Sequence, residues 1–115
     1  MPHFIIECSE NIIKNKPAEQ IMQTVFEAAE SSGLFNKADI KVRIKPYTDY
    51  MLAEGKENFL HVFAHIMQGR TTEQKKALSK KITESLHELL PGLSVLSINV
   101  SDFEAATYYN KAMTG

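Results

Sequence analysis

The chain has 115 residues, and its 13 Lys and Arg against 14 Asp and Glu leave a formal net charge of −1. This balance argues against a nucleic-acid-binding protein, since such proteins carry a basic excess. Cys8 is the only cysteine, which excludes an internal disulfide and any zinc site that needs two cysteines. No apolar run approaches the roughly 18 residues of a membrane span, and the first residues lack the basic start of a signal peptide. We therefore expect a single cytoplasmic domain with no nucleic-acid or membrane partner.

The first half of the chain has the pattern of a β-α-β unit. Residues 3–8 are rich in β-branched and aromatic side chains and predict a strand, whereas the polar stretch 9–16 predicts a loop. Apolar residues then recur at helical spacing, which predicts a helix over residues 17–33. Residues 40–45 alternate between apolar and basic side chains and predict a second strand, which we expect Pro46 to end.

The second half repeats this order after an ambiguous segment. Residues 47–58 contain a turn signal and predict a short hairpin arm. Residues 59–67 are apolar on both faces, which predicts a strand buried on both sides. Thr71 and Gln74 have the spacing of a capping box, so a second helix is expected to begin there. Residues 95–100 alternate again and predict the last strand, followed by a tail.

This order predicts an α+β protein made of two β-α-β halves, about 2–46 and 59–101. Their four strands form one mixed sheet with two helices on one face. The other face would expose four apolar side chains, namely Ile5, Phe59, Phe63 and Met67. Because such a face is too apolar to remain in water, we expect the chain to oligomerise through it.

Pro2 follows Met1 directly, and a small second residue favours enzymatic removal of the initiator methionine. Proline would then be the first residue of the mature chain and carry a free secondary amine. An α-amino group titrates near pH ~7.7–8.0, so it can act as a general base near neutrality. Met-Pro starts are common, however, and most of them have no catalytic meaning.

Basic residues form the other candidate site. Lys41, Arg43 and Lys45 share one face of the second strand, where they indicate either a solvated face or an anion site. Arg70 precedes the second helix, and it is either a surface charge or a carboxylate ligand beside a helix N-terminus. Two histidines of the third strand, His61 and His65, fit an oligomer interface better than a metal site.

Two stretches resemble a known family. Residues 1–12 (MPHFIIECSENI) are similar to the N-terminus of the 5-carboxymethyl-2-hydroxymuconate delta-isomerases. Residues 69–75 (GRTTEQK) resemble the G-R-[ST]-x-E-Q-K segment of the wider tautomerase superfamily, which includes 4-oxalocrotonate tautomerase. The resemblance implies a duplicated β-α-β fold assembled as a homotrimer. It also implies an amino-terminal proline that shuttles a proton and arginines that bind carboxylates.

The resemblance assigns the base to Pro2 and a carboxylate-binding role to Arg70. The isomerases carry an arginine in the second strand, where this chain has Lys41, with Arg43 two residues further on. Lysine lacks the planar fork of arginine, so either residue could face the substrate. An aromatic wall late in the chain corresponds to Tyr108 or Tyr109, of which we choose Tyr109.

The implied function is an isomerase that moves a proton between the enol oxygen and a carbon of a conjugated carboxylate, with no metal or organic cofactor. The implied substrate is 5-carboxymethyl-2-hydroxymuconate, a small anionic enol of aromatic-compound catabolism. One alternative is a tautomerase acting on a phenylpyruvate-type enol. Another is a non-catalytic trimeric binding protein of the same fold, which retention of Met1 would favour.

Overall fold

The computed structural model describes all residues from Met1 to Gly115, and four of its segments form one mixed β-sheet. The strands and helices are β1 (His3–Ser9), α1 (Glu10–Asn15), α2 (Ala18–Ser31), β2 (Lys41–Tyr47), β3 (Phe59–Met67), α3 (Thr72–Leu89) and β4 (Val95–Phe103). The strand order is β2-β1-β3-β4. The outer pairs β1–β2 and β3–β4 are parallel, and the central pair β1–β3 is antiparallel. The predicted α+β architecture is confirmed.

The core lies between the sheet and a layer formed by α2 and α3. The alternation of each strand sends every second side chain to this layer, and those of β1 and β3 are fully buried: Phe4, Ile6, Cys8, Leu60, Val62, Ala64 and Ile66. The helices contribute one buried stripe each: Ile21, Val25, Ala28, Ala29, Leu78, Ile82 and Leu86. Burial of one such large aliphatic or aromatic side chain contributes about 1.5–3 kcal/mol, so this layer provides most of the driving force for folding.

Local signals fix the ends of both long helices. Thr71 Oγ1 accepts a hydrogen bond from the Gln74 N–H at 3.1 Å, and Gln74 Oε1 accepts one from the Thr71 N–H at 2.9 Å. This is the predicted capping box at the start of α3. Pro17 lies at the N-cap of α2, and Gly33 follows that helix with a φ of 74°, which favours glycine. None of the helices combines the length and apolar character that crossing a membrane requires.

Two sequence predictions about the first half are wrong. The stretch 9–16 is not a loop, because residues Glu10–Asn15 form α1, whose Ile12 is buried in the core. Packing of that one side chain outweighs the polar composition that suggested a loop. Pro46 does not end β2, which continues to Tyr47. Because β2 is an edge strand paired only with β1, the missing N–H of Pro46 is tolerated.

Two predictions about the second half are also wrong. Residues 48–58 contain a turn at Glu54–Gly55 but no strand, so the hairpin arm does not form. Instead the Tyr50 ring packs edge-on against Phe59, at 5.4 Å between centroids, and its hydroxyl donates to the Glu57 carbonyl at 2.9 Å. These contacts fold the segment back onto the start of β3. β4 extends three residues beyond the predicted end, because its pairing with β3 runs on to Phe103.

The second face of the sheet carries no helix, and we call it the open face. Each strand contributes alternate residues to it: His3, Ile5 and Glu7 of β1, Lys41, Arg43 and Lys45 of β2, Phe59, His61, Phe63, His65 and Met67 of β3, and Ser97, Asn99 and Ser101 of β4. The aromatic and histidine side chains of β3 are only half-buried. The chain alone therefore leaves a mixed apolar and basic surface in contact with water.

Candidate active site

The topology gathers the predicted site residues at one end of the sheet. β1 and β2 begin at this end, and β3 and β4 finish there, because β3 runs antiparallel to β1. We call it the proline end, since Pro2 immediately precedes β1. The register pairs His3 with Lys41 on one side and with His65 on the other. Arg70 and the segment after Phe103 follow the last residues of β3 and β4, so they also reach this end.

Pro2 is fully buried at this end. Its carbonyl accepts a hydrogen bond from the Lys41 N–H at 3.2 Å, which extends the β1–β2 ladder by one residue. Its nitrogen is joined to Met1, and burial lowers the pKa of the Met1 amine. Asp39 raises this pKa by a smaller effect, and Lys41 and Arg70 lower it. The Met1 amine is therefore partly desolvated, and one carboxylate and two cations act on it.

Arg70 is held by the segment that follows α2. Its guanidinium donates a hydrogen bond to the Leu34 carbonyl and lies over the Phe35 ring, 5.4 Å from the centroid. Phe35 in turn packs edge-on against Phe4 at 6.0 Å, which ties this support to β1. Stacking of this kind contributes about 0.5–2 kcal/mol. The contacts orient Arg70 and use only one of its hydrogen-bond donors, so the others can bind a carboxylate.

Lys41 and Arg43 lie two residues apart on β2 but differ in their surroundings. Lys41 is at the first position of the strand, and its Nζ donates to the Asp39 carbonyl at 2.6 Å. Arg43 lies further along, with its Nη1 3.3 Å from His3 Nδ1. Neither cation forms an ion pair with a carboxylate of the chain. Lys41 lowers the pKa of both the terminal amine and His3, whereas Arg43 lowers that of His3.

Two histidines of the open face, His3 and His61, form side-chain hydrogen bonds with neighbouring strands. Burial lowers the pKa of His3, and Lys41, Arg43, the terminal amine and His65 lower it further. His61 Nδ1 lies 2.6 Å from Ser97 Oγ, and its Nε2 lies 2.6 Å from Asn99 Oδ1. No group of three or more His, Cys, Asp or Glu side chains is placed to hold a metal ion. Cys8 is buried, and burial raises the pKa of its thiol to about 11.

The C-terminal segment returns to the proline end. The Ala105 N–H donates to Gln68 Oε1 at 2.6 Å, and the Tyr108 ring stacks on Phe103 at 5.0 Å. Tyr109 is 68% exposed, and its hydroxyl donates to the Met113 carbonyl at 3.0 Å. Tyr108 is thus packed against Phe103, whereas most of the Tyr109 side chain is exposed to solvent, and no contact joins it to Pro2, Arg70 or Lys41.

The sequence predictions did not include four residues that contact Arg70 or act on Met1 at the proline end. They are Leu34, Phe35, Asp39 and Asn110. Leu34, Phe35 and Asp39 carried no motif, because their contacts form only when the segment after α2 packs against the proline end. Asn110 carried no signal, because its position depends on how the whole sheet brings the tail to the N-terminus.

The fold of this chain is similar to that of several solved proteins. It superimposes on a solved 5-carboxymethyl-2-hydroxymuconate isomerase from Deinococcus radiodurans R1 with a TM-score of 0.83 and 23% identity, covering 96% of this chain and 88% of that one. It also superimposes on a fused 4-OT symmetric trimer with a TM-score of 0.80 and 16% identity, covering 95% and 91% of the two chains. These likenesses establish the fold.

The sequence identifies the family within that fold. The family model of 5-carboxymethyl-2-hydroxymuconate isomerase matches residues 2–113, so the chain belongs to this family. The 5-carboxymethyl-2-hydroxymuconate Delta-isomerase of Escherichia coli is 28% identical over 86 residues, which cover 73% of this chain and 68% of that protein. The chain is therefore an enzyme of the isomerase and tautomerase class.

Proposed function

We propose that the enzyme converts 5-carboxymethyl-2-hydroxymuconate from its enol to a ketone with a shifted double bond, in aromatic-compound catabolism in the cytoplasm. One observation carries this proposal: the buried Pro2 lies at the same end of the sheet as Arg70 and Lys41. A substrate with several carboxylates matches these two cations, which have no carboxylate partner in the chain. The family match and the Escherichia coli relative support the same substrate.

In this mechanism Met1 is removed, and the Pro2 nitrogen becomes a neutral secondary amine. The amine takes the proton of the enol hydroxyl, which leaves a conjugated dienolate. The resulting prolinium then gives a proton to a carbon of that system, and the electron pair of the new C–H bond comes from the dienolate. Arg70 and Lys41 bind the carboxylates and stabilise the spread negative charge, while Tyr109 forms one wall. The steps need no metal or organic cofactor.

The test is the ultraviolet absorbance of the conjugated enol, followed with the purified mature protein and a panel of substrates. The panel contains 5-carboxymethyl-2-hydroxymuconate, 2-hydroxymuconate and the enol of phenylpyruvate. The proposal expects the highest kcat/KM for the first compound. A preference for the phenylpyruvate enol would reassign the substrate, and rates equal to buffer for all three would favour a non-catalytic binding protein.

We also propose that the active enzyme is a homotrimer that buries the open face. Its β3 rings are half-buried in the single chain, and Phe63 lies at the centre of the face. A fold relative that is a symmetric trimer supports this assembly. Apolar surface of this kind is typical of an interface between subunits.

Phe63→Glu is expected to convert the trimer to a monomer, because a carboxylate on the open face loses its hydration when the face is buried. Sedimentation velocity at micromolar concentration measures the change. Lys80→Gln is the control, since it changes the charge by the same amount on exposed helix surface. A wild-type protein that sediments as a monomer would contradict the proposed assembly.

A further inference from the structure

One side chain of the C-terminal segment reaches the residue that precedes Pro2. Asn110 Nδ2 lies 3.9 Å from the sulfur of Met1, although the two residues are 109 positions apart in the chain. Asn110 is half-buried there, and Gln68 holds the start of the segment through its hydrogen bond from Ala105. The amide therefore lies within the proline end, against the residue that precedes the proposed base.

The oxygen and the nitrogen of the Asn110 side-chain amide have different contacts. Its Oδ1 accepts a hydrogen bond from the Met113 N–H at 3.2 Å and begins the last 3₁₀ turn, Lys111–Thr114. Its Nδ2 donates only to the Met1 thioether, and a thioether is a weak acceptor. Removal of Met1, which the proposed function requires, takes away that contact and leaves a donor directed at the space that the Met1 thioether occupied.

We propose that Asn110 is a substrate-binding residue, whose Nδ2 donates a hydrogen bond to an anionic oxygen of the enol acid in the space that the Met1 side chain occupies. The inference rests on the proposed function and extends it to the C-terminal segment. Arg70 and Lys41 supply positive charge for carboxylates, whereas a neutral amide donates a hydrogen bond without holding a full counter-charge. Such a donor suits the oxygen on which charge develops when the enol is deprotonated.

The test compares Asn110→Ala with Asn110→Asp in the mature enzyme. Aspartate keeps the acceptor that caps the last turn but replaces the Nδ2 donor with a negatively charged oxygen. We expect both variants to lose about 10- to 100-fold in kcat/KM, with the aspartate variant at least as impaired, because a hydrogen bond to a charged group is lost. A fall in kcat assigns the contact to the enol oxygen, and a rise in KM assigns it to a carboxylate.

Asn58→Asp is the matched control. Asn58 Oδ1 also accepts a backbone hydrogen bond, from Ser94 at 2.6 Å, but it precedes β3 at the opposite end of the sheet. The same change in charge is expected to leave kcat/KM unchanged there. If Asn110 only capped the turn, Asn110→Asp would retain wild-type activity while Asn110→Ala lost it, and that pattern would overturn the proposal.

A second measurement separates this inference from the proposed function. The side-chain ¹⁵N–¹H resonances of Asn110 are followed while 2-oxoadipate, a dicarboxylate that carries the C2 oxygen but has no double bond to shift, is added to the mature protein. A shift that saturates supports the contact, even if none of the enols is isomerised and the proposed function fails. Resonances that stay unchanged at millimolar 2-oxoadipate overturn the assignment, even if the wild-type enzyme is active.

Discussion

A form of the protein that keeps one or more residues before Pro2 is expected to be almost inactive as an isomerase. The Pro2 nitrogen is then a tertiary amide with no usable lone pair, and the amine of the extra residue lies at a different position. General bases contribute about 10²- to 10⁴-fold to such reactions, so we expect a loss of at least 100-fold in kcat. The ultraviolet assay measures the rate, and intact mass establishes which residue begins each sample.

Pro2→Ala is the companion variant, since it leaves a primary amine at nearly the same place. It is expected to reduce turnover without abolishing it, because that amine still accepts a proton. Full activity of an extended protein, with the extension verified by mass after the assay, would show that the proton transfer does not use Pro2.

Replacement of Arg70 by alanine is expected to lower kcat/KM by roughly 30- to 1,000-fold. A carboxylate in a partly desolvated site loses its charge-assisted partner, a loss on the order of 2–4 kcal/mol. Arg70→Lys keeps the charge but loses both the planar fork and the stacking on Phe35, so it is expected to recover only part of the activity. Lys76→Ala, which removes a charge from the exposed surface of α3, is the control.

The same assay decides which cation of β2 binds the substrate. Lys41→Ala is expected to impair kcat/KM more than Arg43→Ala, because Lys41 begins the strand next to Pro2 while Arg43 lies against His3. The opposite order would place the substrate further along the open face. Unchanged kinetics in Arg70→Ala would remove Arg70 from the site.

Much of the fold could be predicted from periodicity in the sequence. The strand over residues 59–67 and the capping box at Thr71 were confirmed because their signals are local: an alternation and a side chain that caps its own helix. The α1 helix and the passage of β2 through Pro46 could not be predicted in this way. The α1 helix depends on the burial of Ile12 in the core, and β2 can include Pro46 because it is an edge strand. Both are properties of the folded sheet.

The candidate site shows the same division between residues marked by a short sequence motif and residues that meet only in the folded chain. Pro2 and Arg70 could be selected because short motifs marked them, and the topology then explains why residues so far apart in sequence reach one end of the sheet. The support of Arg70 by Leu34 and Phe35 had no motif, and neither did the approach of Asn110 to Met1. Such contacts form only after the segments at the proline end are brought together.

The measurement that tests the account most directly is kcat/KM for 5-carboxymethyl-2-hydroxymuconate between pH 5 and 9, with Pro2 verified by mass as the first residue. Burial lowers the pKa of the Met1 amine, opposed by Asp39 and helped by Lys41 and Arg70, and we expect the same direction for the amine of the buried Pro2 at this end. The neutral amine is the active form, so kcat/KM is expected to rise with pH through one ionisation whose midpoint lies below the ordinary range of about 7.7–8.0. The rate should then reach a plateau. A rate no faster than the buffer-catalysed reaction, or one that does not change over this range, would contradict a Pro2 amine as the base.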